Sequence, residues 1–123
     1  MKDIKTIQIS VDKFAKERDW DKFHSPKNLA MALSVETAEL MEHFQWLTEQ
    51  ESYELDPAMH AKVADEIADV QVYLARLADK LNIDIATAVS VKMDKNRKKY
   101  PADIVYGSAK KYNEYKYNKK HDE

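Results

Sequence analysis

One hundred and twenty-three residues suffice for one hydrophobic core and one domain. One Gly and three Pro leave little turn chemistry for a many-stranded sheet, and 44% hydrophobic residues exclude disorder for most of the chain, so the composition predicts an all-α fold. The formal charge of −2 hides an asymmetry: residues 1–91 carry 10 Lys/Arg against 17 Asp/Glu, whereas residues 92–120 carry 10 against 3.

In chain order, Ile4, Ile7, Val11, Phe14 and Ala15 recur at helical steps and predict a first helix running to about Asp19. Ser25 followed by Pro26 reads as an N-cap with proline at the first helical position, opening a second helix to about Leu47. Thr48 with Glu51 fits a capping box for a short helical turn, and Asp56-Pro57 repeats the cap-then-proline signal for a third helix ending near Leu81. Asp84 caps a fourth, which stops before Pro101. Residues 1–101 thus read as a helical domain of four-helix-bundle type. Residues 102–123, with the only Gly, read as a basic tail ordered in part, whose Tyr106, Tyr112, Tyr115 and Tyr117 either cover a neighbouring subunit or stay disordered. The second and third helices are apolar on more than one side, which one neighbour in the same chain does not cover. A homo-oligomer, in which a second copy of the chain completes the bundle, is therefore expected.

Charged residues interrupt those stripes at regular places. Glu36 falls between Leu33 and Leu40 on the second helix, and Glu39 follows one turn later; Glu66 and Asp69 repeat the device on the third. Packed antiparallel, the two helices bring four acids together, and converging carboxylates need a cation or a proton. Hard oxygen donors without Cys favour Mg²⁺, or Mn²⁺, over Zn²⁺. A di-iron bundle would want Glu-x-x-His, which is absent. On the fourth helix Lys92 and Asn96 share an inward stripe near Arg97 and Tyr100, placing cationic and amide donors where a polyphosphate could be held. Trp20, Phe23, His24, Trp46 and Tyr73 supply rings at helix ends and beside Asp69, suited to core packing or to stacking on a base.

The stretch RDWDKFHSPKNL at 18–29, Glu36-x-x-Glu39, Phe44-Gln45-Trp46, Glu66-x-x-Asp69 after a gap of 26 residues, and Lys92-Met93-x-x-Asn96-Arg97-x-x-Tyr100-Pro101 closely resemble the MazG-like all-α nucleoside triphosphate pyrophosphohydrolases, in their dCTP pyrophosphatase-like branch. The resemblance spans about residues 11 to 117. It implies that Glu36, Glu39, Glu66 and Asp69 bind Mg²⁺, that Lys92 and Asn96 reach the phosphates, and that Trp20 to His24, Trp46 and Tyr73 line the base pocket. It also implies a tetramer with active sites shared between chains. One departure stands out: Val11 occupies a position where the animal dCTP pyrophosphatases carry a His, which removes a polar group from the pocket wall.

The expected reaction is hydrolysis of dCTP, or a related pyrimidine deoxynucleoside triphosphate, to the monophosphate and pyrophosphate, with Glu39 as the base. The alternative is a helical oligomer that binds a nucleotide or partner without hydrolysing it. The absence of Cys fits a reducing cytoplasm, and the longest uncharged run, eight residues at 28–35, predicts neither a signal peptide nor a membrane span. The acidic body argues against nucleic acid as a partner.

Overall fold

In the computed structural model, which describes residues 3–109, each of the first five helices begins at a residue whose side chain accepts an otherwise unpaired backbone N–H. Asp3 opens α1 (Ile4–Glu17), Ser25 opens α2 (Pro26–Glu42), Thr48 opens the short α3 (Glu49–Ser52), Asp56 opens α4 (Pro57–Lys80) and Asp84 opens α5 (Ile85–Lys99). A 3₁₀ turn, Asp21–Phe23, links α1 to α2, and a final turn, α6, spans Ala102–Val105. The described residues contain no strand, and the all-α class is as expected. Tyr106 is exposed; Tyr112, Tyr115 and Tyr117 lie outside the described residues.

Two helices, α1 and α4, close with a paired hydrogen-bond pattern that usually recruits glycine. After α1 the Trp20 N–H bonds to the Ala15 carbonyl and that of Asp19 to Lys16, while after α4 Ile83 bonds to Ala78 and Asn82 to Asp79. This paired pattern needs a left-handed residue just past the cap, and Asp19 (φ 56°) and Asn82 (φ 54°) supply it. Both have short polar side chains that tolerate the conformation better than most.

The second helix is shorter than its sequence pattern. It stops at Glu42, and residues 43–47 wind into turns with Phe44 N–H bonded to the Met41 carbonyl and Leu47 N–H to that of Phe44, each at 2.9 Å. The chain is then extended at Thr48 (ψ 164°), ready to cap α3.

The described residues form two compact units, one up to Ile83 and one from Asp84 onward. In the first, α4 is the shared wall: both α1 and α2 pack on it. Between α1 and α4 the contact is made by small residues, Ala15, Ala75 and Ala78, all buried, with the buried Gln8 amide donating to the Ala75 carbonyl at 3.0 Å. Leu29 on α2 and Val63 on α4 are the other buried apolar residues among those described. Ile67 and Leu74, which share an apolar stripe of α4 with Val63, Val70 and Leu77, stay exposed in the single chain, as do Met31, Val35 and Met41 of α2. The second unit consists of α5 and α6.

Candidate active site

The 17-residue α2 and the 24-residue α4 pack against each other, so acids set one turn apart on each helix meet across the contact. Glu36, Glu39 and Glu66 each offer an oxygen lying within 4.8 Å of the others, and all three side chains are half-buried. One oxygen of Glu36 and one of Glu66 are buried with no hydrogen-bond partner. A buried acceptor left unpaired costs about 1–3 kcal/mol, so this corner is incomplete as protein alone. Glu36 is accordingly pushed up to about 7, first by burial, then by its closeness to Glu39 and Glu66 and by the charge of Asp69.

Asp69 is exposed and lies outside that trio, but it lines the same cleft as Glu36. The cleft, about 600 Å³, opens between α1 and α4, with Val11, Phe14, Val72 and Tyr73 as its apolar wall. Three carboxylates and a nearby fourth, without thiolate, make an oxygen donor set that fits a hard divalent cation, and the two unpartnered buried oxygens are what such an ion would satisfy.

The other residues singled out by sequence are dispersed. Trp20 packs edge-on against Phe14, with ring centres 5.7 Å apart, and so extends the aromatic side of the cleft. Phe23 is exposed, with the Lys22 ammonium 5.3 Å from its ring centre. His24 turns to α4 instead, where its Nδ1 accepts from Arg76 Nε at 3.2 Å. Trp46, in the turns after α2, is 87% exposed in the single chain. Lys92, Asn96 and Arg97 lie on α5 and Tyr100 caps it, all in the second unit; Lys92 is exposed and Arg97 pairs with Asp94 at 2.7 Å.

Two residues escaped the sequence reading. His43, one turn after Glu39, places Nε2 3.9 Å from Glu66 Oε1. Its spacing from Glu39 was a usable signal, since residues four apart share a helix face. The second is Arg76, 2% exposed, whose guanidinium gathers acids from two other elements. Those acids stand 55 and 64 positions away, so no local pattern announces them.

Fold and site define a class. Residues 31–115 match the MazG-like family, and the chain belongs to it. Among its relatives, dCTP pyrophosphatase 1 of Homo sapiens is 45% identical over 103 residues, 82% of this chain and 61% of that protein. The dCTP pyrophosphatase 1 of Bos taurus is 44% identical over 101 residues, 80% of this chain and 60% of that protein. This chain thus spans about three-fifths of the length of these relatives. The crystal structure of a pyrophosphatase from Archaeoglobus fulgidus superposes with a TM-score of 0.75 at 42% identity, covering 79% of this chain and 91% of that one. These similarities bear out the dCTP pyrophosphatase-like branch read from the motifs. No helix among the described residues is long and apolar enough to cross a membrane.

Proposed function

We propose that this protein hydrolyses dCTP or a related pyrimidine deoxynucleoside triphosphate between the α and β phosphates, releasing the monophosphate and pyrophosphate, and so cleans the nucleotide pool. The observation that carries the reading is the trio of half-buried carboxylates, two with unpartnered oxygens, at the edge of an apolar cleft of about 600 Å³. The relatives that bear pyrophosphatase names support it.

Glu36, Glu39, Glu66 and Asp69 would hold Mg²⁺, with Mn²⁺ an acceptable substitute. When bound, the ion supplies charge neutralisation at the phosphates. Glu39 would orient a water against the α-phosphorus and accept its proton as the new P–O bond forms and the bond to the bridging oxygen breaks, with pyrophosphate leaving. Lys92, Asn96, Arg97 and Tyr100, which match the family motif, would bind the phosphates. The base would enter the cleft beside Val11, Phe14 and Tyr73, with Trp20, Phe23 and Trp46 closing around it and His24, bonded to Arg76, bordering it from the turn. Val11 offers no hydrogen bond, so selection among pyrimidines rests on shape and stacking and is broader than a hydrogen-bonding wall would impose. The exposed apolar residues on α2 and α4 support a homo-oligomer, dimer or dimer of dimers. Residues 1–101 would form the catalytic domain of a protein working in a reducing cytoplasm, with neither membrane nor nucleic acid as a partner.

A panel of deoxynucleoside triphosphates, assayed for pyrophosphate with Mg²⁺ and with chelator, tests this directly. Release from a pyrimidine substrate, lost with chelator, is expected. Glu39→Gln should keep the helical circular dichroism and lower kcat by about 10²–10⁴. No pyrophosphate from any substrate would leave a binding module in place of an enzyme.

A further inference from the structure

We infer that Arg76 is a positioning residue: from α4 it holds the 3₁₀ turn that carries Trp20 to His24, and thereby sets the aromatic edge of the nucleotide cleft. The inference rests on the function proposed above. It names a residue that none of the sequence motifs contains.

Its geometry is that of a clamp. Arg76 is 2% exposed and lies one turn beyond Tyr73 on the helix that forms the cleft wall. Nη1 donates to Asp12 Oδ1 at 2.5 Å, Nη2 to Asp21 Oδ1 at 2.6 Å, and Nε to His24 Nδ1 at 3.2 Å; Asp79 Oδ2 stands 4.0 Å from Nη1. One planar fork therefore meets α1, both ends of the 3₁₀ turn and its own helix, a geometry that the single ammonium of lysine does not reproduce. Lys80, one helical turn on, also donates to Asp21, and Lys16 pairs with Asp12 at 2.9 Å. His24 must be neutral at Nδ1 to accept, and burial, with the charges of Arg76 and Lys80, lowers its pKa in that direction.

The residues so held are the neighbours of the cleft. Asp12 follows Val11 and precedes Phe14 by two positions, both cleft residues, while Asp21 follows Trp20, whose ring packs on Phe14. A buried ion pair adds little net stability over an apolar residue of the same size. What a fork with three acceptors adds is direction. Its acids, with side chains 32% and 43% exposed, can be hydrated if the guanidinium is lost, so the turn shifts without the helices coming apart.

The test compares a ligand with a base and one without. Steady-state pyrophosphate release from dCTP is measured for the wild type, Arg76→Gln, Arg76→Lys and Asp21→Asn, together with inhibition by inorganic triphosphate, which has no base to place. For Arg76→Gln the KM for dCTP should rise about tenfold while kcat stays within about twofold and triphosphate inhibition is unchanged. Arg76→Lys should recover part of the loss, and Asp21→Asn should move KM the same way by less. If KM is unchanged in all three variants, or KM and triphosphate inhibition weaken together, Arg76 does not position the base edge. Should Arg76→Gln fail to fold, the other two variants carry the same comparison. A wild type that releases no pyrophosphate overturns the functional reading and this inference with it, whereas an active wild type with unaffected variants overturns the inference alone.

Discussion

Glu66 and Arg76 stand ten positions apart on α4, about 15 Å along its axis, and each gathers carboxylates from other elements. Around Glu66 the acids meet one another: oxygens go unpartnered and Glu36 is pushed up to about 7. Around Arg76 the acids meet cations: hydrogen bonds from Arg76 and Lys16 hold Asp12 below the usual carboxylate range, and Lys80, then the charge of Arg76, does the same for Asp21. The same functional group is thus destabilised at one place along α4 and satisfied at another. Unsatisfied charge marks the place that needs something from outside the chain, and satisfied charge marks a joint. One cluster is poised for a ligand; the other holds its walls in register.

The sharpest way to break the contrast is to delete one carboxylate from the unsatisfied cluster. Glu36→Gln should weaken Mg²⁺ or Mn²⁺ binding by about 100-fold or more in calorimetry, because a charged oxygen ligand is lost. The same change should stabilise the metal-free protein at pH 8. Glu36 has a folded pKa above its unfolded value of 4.5, so its contribution is fully present below pH 4.5 and is lost as pH rises through about 7. Glutamine resembles the protonated form at every pH. Thermal melts of the metal-free wild type should therefore fall between pH 5 and 8, those of Glu36→Gln should fall less, and Mg²⁺ should restore the wild type alone. Equal melting curves for the two metal-free proteins at pH 8 would contradict the contrast.

At the satisfied cluster the sign reverses. Asp12 and Asp21 have lowered folded pKa values, so their contribution is present above the ordinary value of 3.8 and disappears as pH falls through the folded values. Urea midpoints should drop on acidification below pH 4, and in Arg76→Gln that drop should shrink. The smallest expected effect lies outside both clusters. Asn82→Gly should stabilise the chain by about 0.5–1 kcal/mol in chemical unfolding, since glycine accepts the left-handed conformation without strain. Asp19→Gly should gain less, because Asp19 also pairs with Lys22 at 2.8 Å, a surface contact worth about 0.2–1 kcal/mol.

The capping residues made the helix starts legible: Ser25, Thr48, Asp56 and Asp84 each accept the backbone N–H expected of them. The end of α2 was not legible, because Phe44, Trp46 and Leu47 continue an apolar pattern that the backbone leaves by tightening its hydrogen bonds. The face of α4 was half-read for a different reason. Hydrophobic weight favours Ile67 and Leu74, yet the surface closed against α1 consists of alanines and an arginine, which weigh little on such a scale. Glu36, Glu39 and Glu66 were legible because their spacing is local and their place inside a stripe is costly. Arg76 and the His43–Glu66 approach depend on contacts between distant segments, which periodicity within one helix does not encode.

The contact between α1 and α4 also sets a limit on how this cleft could change. Where α1 meets α4 the buried residues are Ala15, Ala75 and Ala78 together with Gln8 and Arg76, whose hydrogen bonds to the Ala75 carbonyl and to Asp12 tie the two helices together. A change in the gap between the helices would break those hydrogen bonds. If the cleft takes a base as proposed above, adapting it to a larger or smaller one falls to the side chains along its wall, Val11 first, which can be exchanged without disturbing those hydrogen bonds or the acids on α2 and α4.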